Sequence, residues 1–210
     1  MVKENVLIIY FNIESEGYQA FTEMRQHTFS QSNSIIIEQA SLIKRENGTI
    51  IAKDFYNNEK NMGEDVAIGS IIGGLIGILG GPLGVLLGMG VGAAIGSLPS
   101  LDDTEENSGL LQSVVSRLQE DDIAILAVVQ EENEAQLDNY FAKFDTTIIR
   151  YDANVIEEEV EYADEVQKEL ARQARVQMKQ KRSEERKRKV EEKGAEIHAR
   201  FEVLKEKLKS

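Results

Sequence analysis

The sequence predicts an α+β protein: a ferredoxin-like sandwich built from two βαβ units, carrying an inserted glycine-zipper helical hairpin and a long C-terminal helix. Three observations lead there. The order strand, helix, strand occurs twice, an Asn-Gly turn follows the first copy, and an uncharged stretch with glycine at every fourth position separates the copies.

The first copy opens with Asn5 to Asn12 (NVLIIYFN), a β-branched run of strand type. A polar, helix-like stretch follows from Glu16 to Phe29, then a second apolar run from Ser34 to Ala40 (SIIIEQA). Ser41 to Arg45 and Thr49 to Tyr56 flank Asn47-Gly48, a dipeptide that accepts positive φ at both central positions of a tight turn. Strand two is therefore expected to fold back into strand three. Beyond the insertion, apolar residues at 110, 111, 114, 115 and 118 give Asn107 to Gln119 helical spacing. Asp121 to Gln130 then reads as strand, Asn133 to Phe144 as helix and Thr146 to Ala153 as strand. This order predicts an antiparallel sheet with helices on one face. The divisions are 1–62 for the first α/β half, 63–101 for the insertion, 102–154 for the second half and 155–210 for the terminal helix.

Charge vanishes from Val66 to Leu101, and 11 of the 16 glycines fall there. Gly69, Gly73, Gly77 and Gly81 form one ladder, and Gly84, Gly88, Gly92 and Gly96 a second. Every fourth residue of a helix lies on one face, so each ladder makes a groove where another backbone can come close. Gly80-Gly81-Pro82 separates them, proline breaking the helix and glycine allowing the turn. Glycine costs about 1 kcal/mol against alanine inside a helix, so such arms need something packed on them. Lipid supplies one solution and a homo-oligomeric core another. Each arm is roughly 21–25 Å long as helix, short of the ~30 Å hydrocarbon core, which favours a hairpin that dips into the bilayer or thins it. Acidic flanks, Glu64 and Asp65 before and Asp102 to Glu106 after, are unusual for an anchor on the cytoplasmic side. Gly88 to Ala93 fits a loose dinucleotide fingerprint, but the acidic residues beyond it come too soon, and the four-residue period accounts for these glycines without a cofactor.

From Val155 onward about half the residues are charged and a single glycine interrupts, the composition of a long helix. Val190, Gly194, Ile197, Phe201, Leu204 and Leu208 alternate in steps of four and three, a heptad seam that needs a partner. Lys179, Lys181, Arg182, Arg186, Lys187, Arg188 and Lys189, against Glu184 and Glu185, give a local +5 suited to an anionic surface. The acidic run at 157–165 is the competing partner for that charge.

Overall charge is −13, from 37 acidic and 24 basic residues, so the body should repel nucleic acid and anionic membrane, and any polyanion binding would have to be local. Cysteine is absent, which removes disulfides and thiolate metal sites. The apolar N-terminal run lacks a small-residue cleavage site and reads as a strand, so the protein is expected in the cytosol or on the cytoplasmic face of the membrane. His27 and His198 are the two imidazoles, too few and too isolated to point to catalysis, a haem or a metal. Carboxylate runs at 131–134 and 157–161 lack the turned loop of a calcium site and read as solvated faces.

The segment SIIIEQASLIKRENGTI, its strand entering an Arg-Xaa-Xaa-Gly turn between Ile43 and Ile51, and the GGPLG core at Gly80 to Gly84 resemble the bacterial family of domain of unknown function 1269. The resemblance covers about residues 4–154, and the long charged tail departs from it. Members are commonly labelled predicted membrane or stress-related proteins, and no catalytic residues come with the resemblance. The expected function is non-enzymatic: a self-assembling protein on the cytoplasmic side of the membrane whose glycine-zipper hairpin inserts in or dips into the bilayer and drives oligomerisation, its partners itself and lipid, with no cofactor, metal or small-molecule substrate. A soluble homo-oligomeric ring, shell or filament with the hairpins forming a shared core is the alternative, and a haem- or ligand-binding stress protein a further one.

Overall fold

A computed structural model describes residues 2–26, 35–58, 70–88 and 109–209. The chain divides into two units, Met1–Gln167 and Lys168–Ser210. In the first unit the elements run β1 (Lys3–Phe11), α1 (Glu14–Gln26), β2 (Ile35–Glu46), β3 (Thr49–Asn57), α2 (Ile71–Leu79), α3 (Pro82–Gly88), α4 (Leu110–Arg117), β4 (Ile123–Glu131), α5 (Ala135–Phe141) and β5 (Thr146–Asp152). Helix α6 (Ala153–Lys209) begins in this unit and makes up the described part of the second.

The five strands form one sheet in the order β3-β2-β4-β1-β5, with every neighbouring pair antiparallel. Consequently β1 and β2 run parallel with β4 between them, and β4 and β5 run parallel with β1 between them. Each parallel pair is joined through one helix, α1 or α5, as the repeated strand-helix-strand pattern requires. The Asn-Gly turn is present: Asn47 and Gly48 have φ of 54° and 75°. Both of its backbone N–H groups donate to the Glu120 carboxylate, Gly48 at 3.0 Å.

Strand β2 is longer than its pattern suggests. Its register against β4 shifts between Ile37 and Gln39, so Glu38 is an extra residue. The inward set accordingly changes parity, from Ile35 and Ile37 to Ala40 and Leu42. What reads as two apolar pieces is one bulged strand.

Helices cover both faces of the sheet, which corrects the expectation of a single covered face. On one side Leu7, Ile9, Phe11, Ile125, Ala127 and Val129 meet Phe21 and Met24 of α1 and Leu137 and Phe141 of α5. Strand alternation turns Val6, Ile8, Ile43 and Leu126 to the other side, and these too are fully buried. There α2 packs on β2, β3 and β4, α3 on β3, and α4 on α2 and α3. The physical reason is the apolar surplus: β1 and β4 are hydrophobic at consecutive positions, as strands covered on both faces must be.

Candidate functional site

The charge-free insertion supplies α2 and α3, the helices that lie on the second face of the sheet. Ser70 caps α2, its Oγ accepting from the Gly73 N–H at 3.0 Å. Ile72, Leu75, Ile78 and Leu79 of α2 and Leu83 and Leu87 of α3 are all buried. Proline sits at the first position of α3, after the two glycines, as its missing N–H permits. The chain bends by 62° at this break, well short of the reversal of a hairpin.

The glycines differ in what surrounds them. A Cβ on Gly74 would lie 2.5 Å from Val160 Cγ1 of α6, and one on Gly81 would lie 2.2 Å from Gln167 Oε1. Gln167 also donates to the Gly77 carbonyl at 3.4 Å. A close helix contact between α2 and the first turns of α6 thus runs along these residues. Gly77 itself faces open space, a Cβ on Gly84 would lie 2.1 Å from the Leu79 carbonyl oxygen, and one on Gly88 would meet Arg45 and Val115. Gly69, Gly92 and Gly96 lie outside the described residues, as does His27. Gly74, outside both four-residue ladders, carries the close approach to Val160. Gly74→Ala is therefore expected to destabilise the protein by about 1–3 kcal/mol despite the better helix former. Gly77→Ala should instead stabilise it by up to about 1 kcal/mol. Urea midpoints of the two variants, moving in opposite directions, would check the pair.

Two charged groups tie the insertion's neighbours down. Glu159 of α6 accepts from the Leu110 and Leu111 N–H groups, each at 3.0 Å, and so closes the open start of α4. Burial pushes its carboxyl up, and the two backbone bonds oppose that rise. Gly109 leaves room for it, since a Cβ there would meet Glu159 Oε1 at 2.6 Å. Arg45 closes the other end of α4, donating to the Val115 and Leu118 carbonyls at 3.0 and 2.8 Å. Beneath α4, burial pushes the Tyr10 hydroxyl up to about 12, partly offset by Ser113.

A polar cluster lies at the far end of β4. Glu131 is 1% exposed and its carboxylate accepts from Asn5 Nδ2 at 2.9 Å and Arg150 Nε at 2.8 Å. Arg150 also donates to Asp138 at 2.7 Å and to the Glu134 carbonyl at 3.2 Å. Burial works against the guanidinium's charge, but Glu131 and Asp138 outweigh it and hold the group above its ordinary pKa. Lys44, nearly buried, is ringed by Glu14 at 2.7 Å, Asp121 at 3.3 Å and Glu46 at 3.8 Å. The Glu14 hydrogen bond leads in holding it charged. In both clusters carboxylate and cation satisfy each other, the arrangement of structural ties.

A cleft of about 230 Å³ is lined by Glu4, Glu38 and Glu157 with Ile36, Ile71 and Asn154. Three glutamates in its lining disfavour an anionic ligand. Among the described residues no group of three or more His, Asp or Glu is placed to hold a metal.

The second unit carries the remaining sequence-predicted residues. Val190, Ile197 and Phe201 stand 69%, 54% and 61% exposed on α6, while the side chains of Leu204 and Leu208 lie outside the described residues. Lys179, Lys181, Arg182, Arg186, Lys187, Arg188 and Lys189 are all exposed, and Arg188 pairs with Glu192 at 3.6 Å. His198 is exposed on the same helix.

A family model described as Protein of unknown function (DUF1269) matches residues 66–172, just over half of the chain, from the insertion into α6. No curated protein and no solved structure matches.

Proposed function

The chain belongs to the family described as Protein of unknown function (DUF1269), and on that footing we propose that it is a non-enzymatic, self-assembling protein. Its body is read as ferredoxin-like, because β5-β1-β4-β2 is the strand order of that fold and β3 adds an edge strand. The observation that carries self-assembly is the seam on α6. Val190, Ile197 and Phe201 repeat at heptad spacing and are more than half exposed, a row of large apolar side chains that water disfavours and a second helix would cover. The polar clusters of the body support the non-enzymatic part, since their charges are spent on one another.

The test is the mass of the full chain in solution by light scattering across a dilution series. Self-assembly predicts a multiple of 23.5 kDa, reduced to the monomer by Ile197→Lys with Phe201→Lys at unchanged helix content. A wild-type chain that stays monomeric at about 100 μM would reject the reading.

A second reading, association with the cytoplasmic face of a membrane, draws on the insertion. No single described helix is long and apolar enough to cross a bilayer, but α2 and α3 together have the length and composition of a broken span or re-entrant loop. To enter lipid they must leave the sheet and bare Val6, Ile8, Ile43 and Leu126. This reading predicts that cell membranes hold the protein through high salt and alkaline carbonate, and release it in detergent.

A further inference from the structure

Resting on the self-assembly reading, we infer that the partner of α6 is a second copy of the same helix, aligned parallel and in register, and that charges beside the seam set that direction. The spacing puts Val176, Val190 and Ile197 at d positions of a heptad and Phe201 at an a position. All four are at least half exposed. Gln180, Ser183, Lys187 and Gly194 complete the row between them, and polar residues at such positions fix register at a cost in stability.

The flanking positions have a marked asymmetry. At g stand Arg172, Lys179, Arg186, Lys193 and Arg200, every one basic. At e stand Gln177, Glu184, Glu191, His198 and Lys205. An antiparallel pair of helices sets g against g, which would line basic residues against basic residues along one flank. A parallel pair sets each g against the e position five residues further on in the partner copy. Lys179 then meets Glu184 and Arg186 meets Glu191, on both flanks of the dimer.

The pattern of intrachain ion pairs agrees. Lys179, Glu184, Arg186 and Glu191 make no ion pair among the described residues of their own chain. On the flanks the parallel arrangement has one unfavourable match, Arg200 against Lys205, and both of these are neutralised within the chain, by Glu196 and Glu202, each at 2.7 Å; in the row itself Lys187 faces its own copy, a cost in stability of the kind that polar residues at such positions carry. Along the flanks, charges that a second copy would satisfy are left open, and charges that it would repel are already paired.

Two experiments on the full chain test this. Because the protein has no cysteine, Ile197→Cys introduces a single thiol. In register, mild oxidation should convert most of this variant to a disulfide-linked dimer that dissociates on reduction. In an equimolar mixture of Val176→Cys and Phe201→Cys chains, a mixed disulfide forming faster than either homodimer would show antiparallel pairing and overturn the inference. Charge exchange supplies the second test. The variants Lys179→Glu/Arg186→Glu and Glu184→Lys/Glu191→Lys should each self-associate at least about tenfold more weakly than wild type at low salt, and recover when mixed. Unchanged association of each variant alone would equally overturn it. A wild-type chain that is monomeric defeats the self-assembly reading itself, whereas a dimer that fails these tests defeats the parallel arrangement alone.

Discussion

Arg150→Met should lower the stability of the body by about 3–5 kcal/mol, because it leaves the Glu131 carboxylate buried without its cation. For a chain of this size that corresponds to a fall in melting temperature of roughly 10 °C. The expected size follows from unequal exposure. Glu131 side-chain atoms have no contact with solvent, so water cannot replace the guanidinium, and Asn5 is left to supply its remaining side-chain hydrogen bond. Arg150 retains 16% exposure and a second partner in the half-exposed Asp138. Glu131→Gln should therefore cost less than Arg150→Met, since the cation it frees keeps Asp138 and the Glu134 carbonyl. Urea unfolding of both variants, followed by circular dichroism, measures the difference. Equal losses would mean that Asp138 and the Glu134 carbonyl give the freed guanidinium no compensation, and that Glu131 and Arg150 act as one unit.

Much of this architecture is legible along the chain where the signal is local. Asn47-Gly48 requires a turn, and the strands begin and end within about two residues of the apolar runs that announce them, apart from β2. Glu38 shows where local reading stops: a bulge changes which residues face the core, and nothing in SIIIEQAS marks the odd residue before its partner strand is known. The same limit hides the second covered face. Periodicity in Ile71 to Gly88 shows an apolar helix and cannot say whether lipid, another copy or the chain's own sheet covers it. The four-residue ladders draw attention to Gly73 and Gly77, whereas the tight approach to Val160 falls on Gly74, because α6 fixes which side of α2 is crowded. Arg150, Glu131 and Asp138 carry no spacing signal, since only the sheet brings them together. The seam on α6 is the opposite case, a heptad pattern visible in sequence whose side chains stand exposed in the described unit.

Leu75→Ala addresses the insertion directly. Leu75 is fully buried where α2 lies on the sheet, and removing its side chain should destabilise the whole body by about 2–5 kcal/mol, with a single unfolding transition. Ile76, its half-buried neighbour, is the control, and Ile76→Ala should cost clearly less. The comparison separates two roles for the uncharged stretch. If α2 and α3 form part of the body's core, the loss at Leu75 must appear in the global stability of β1, β2 and β4, because the face they lose is lined by Val6, Ile8, Ile43 and Leu126. If the stretch instead serves as a separate lipid-seeking module, truncating Leu75 should leave the unfolding midpoint in water unchanged and weaken membrane retention. A large loss in water would also set a condition on any membrane role. Lipid could draw the insertion out only where the bared sheet face gains a new cover, and self-association of the body is then the step that insertion would have to be coupled to.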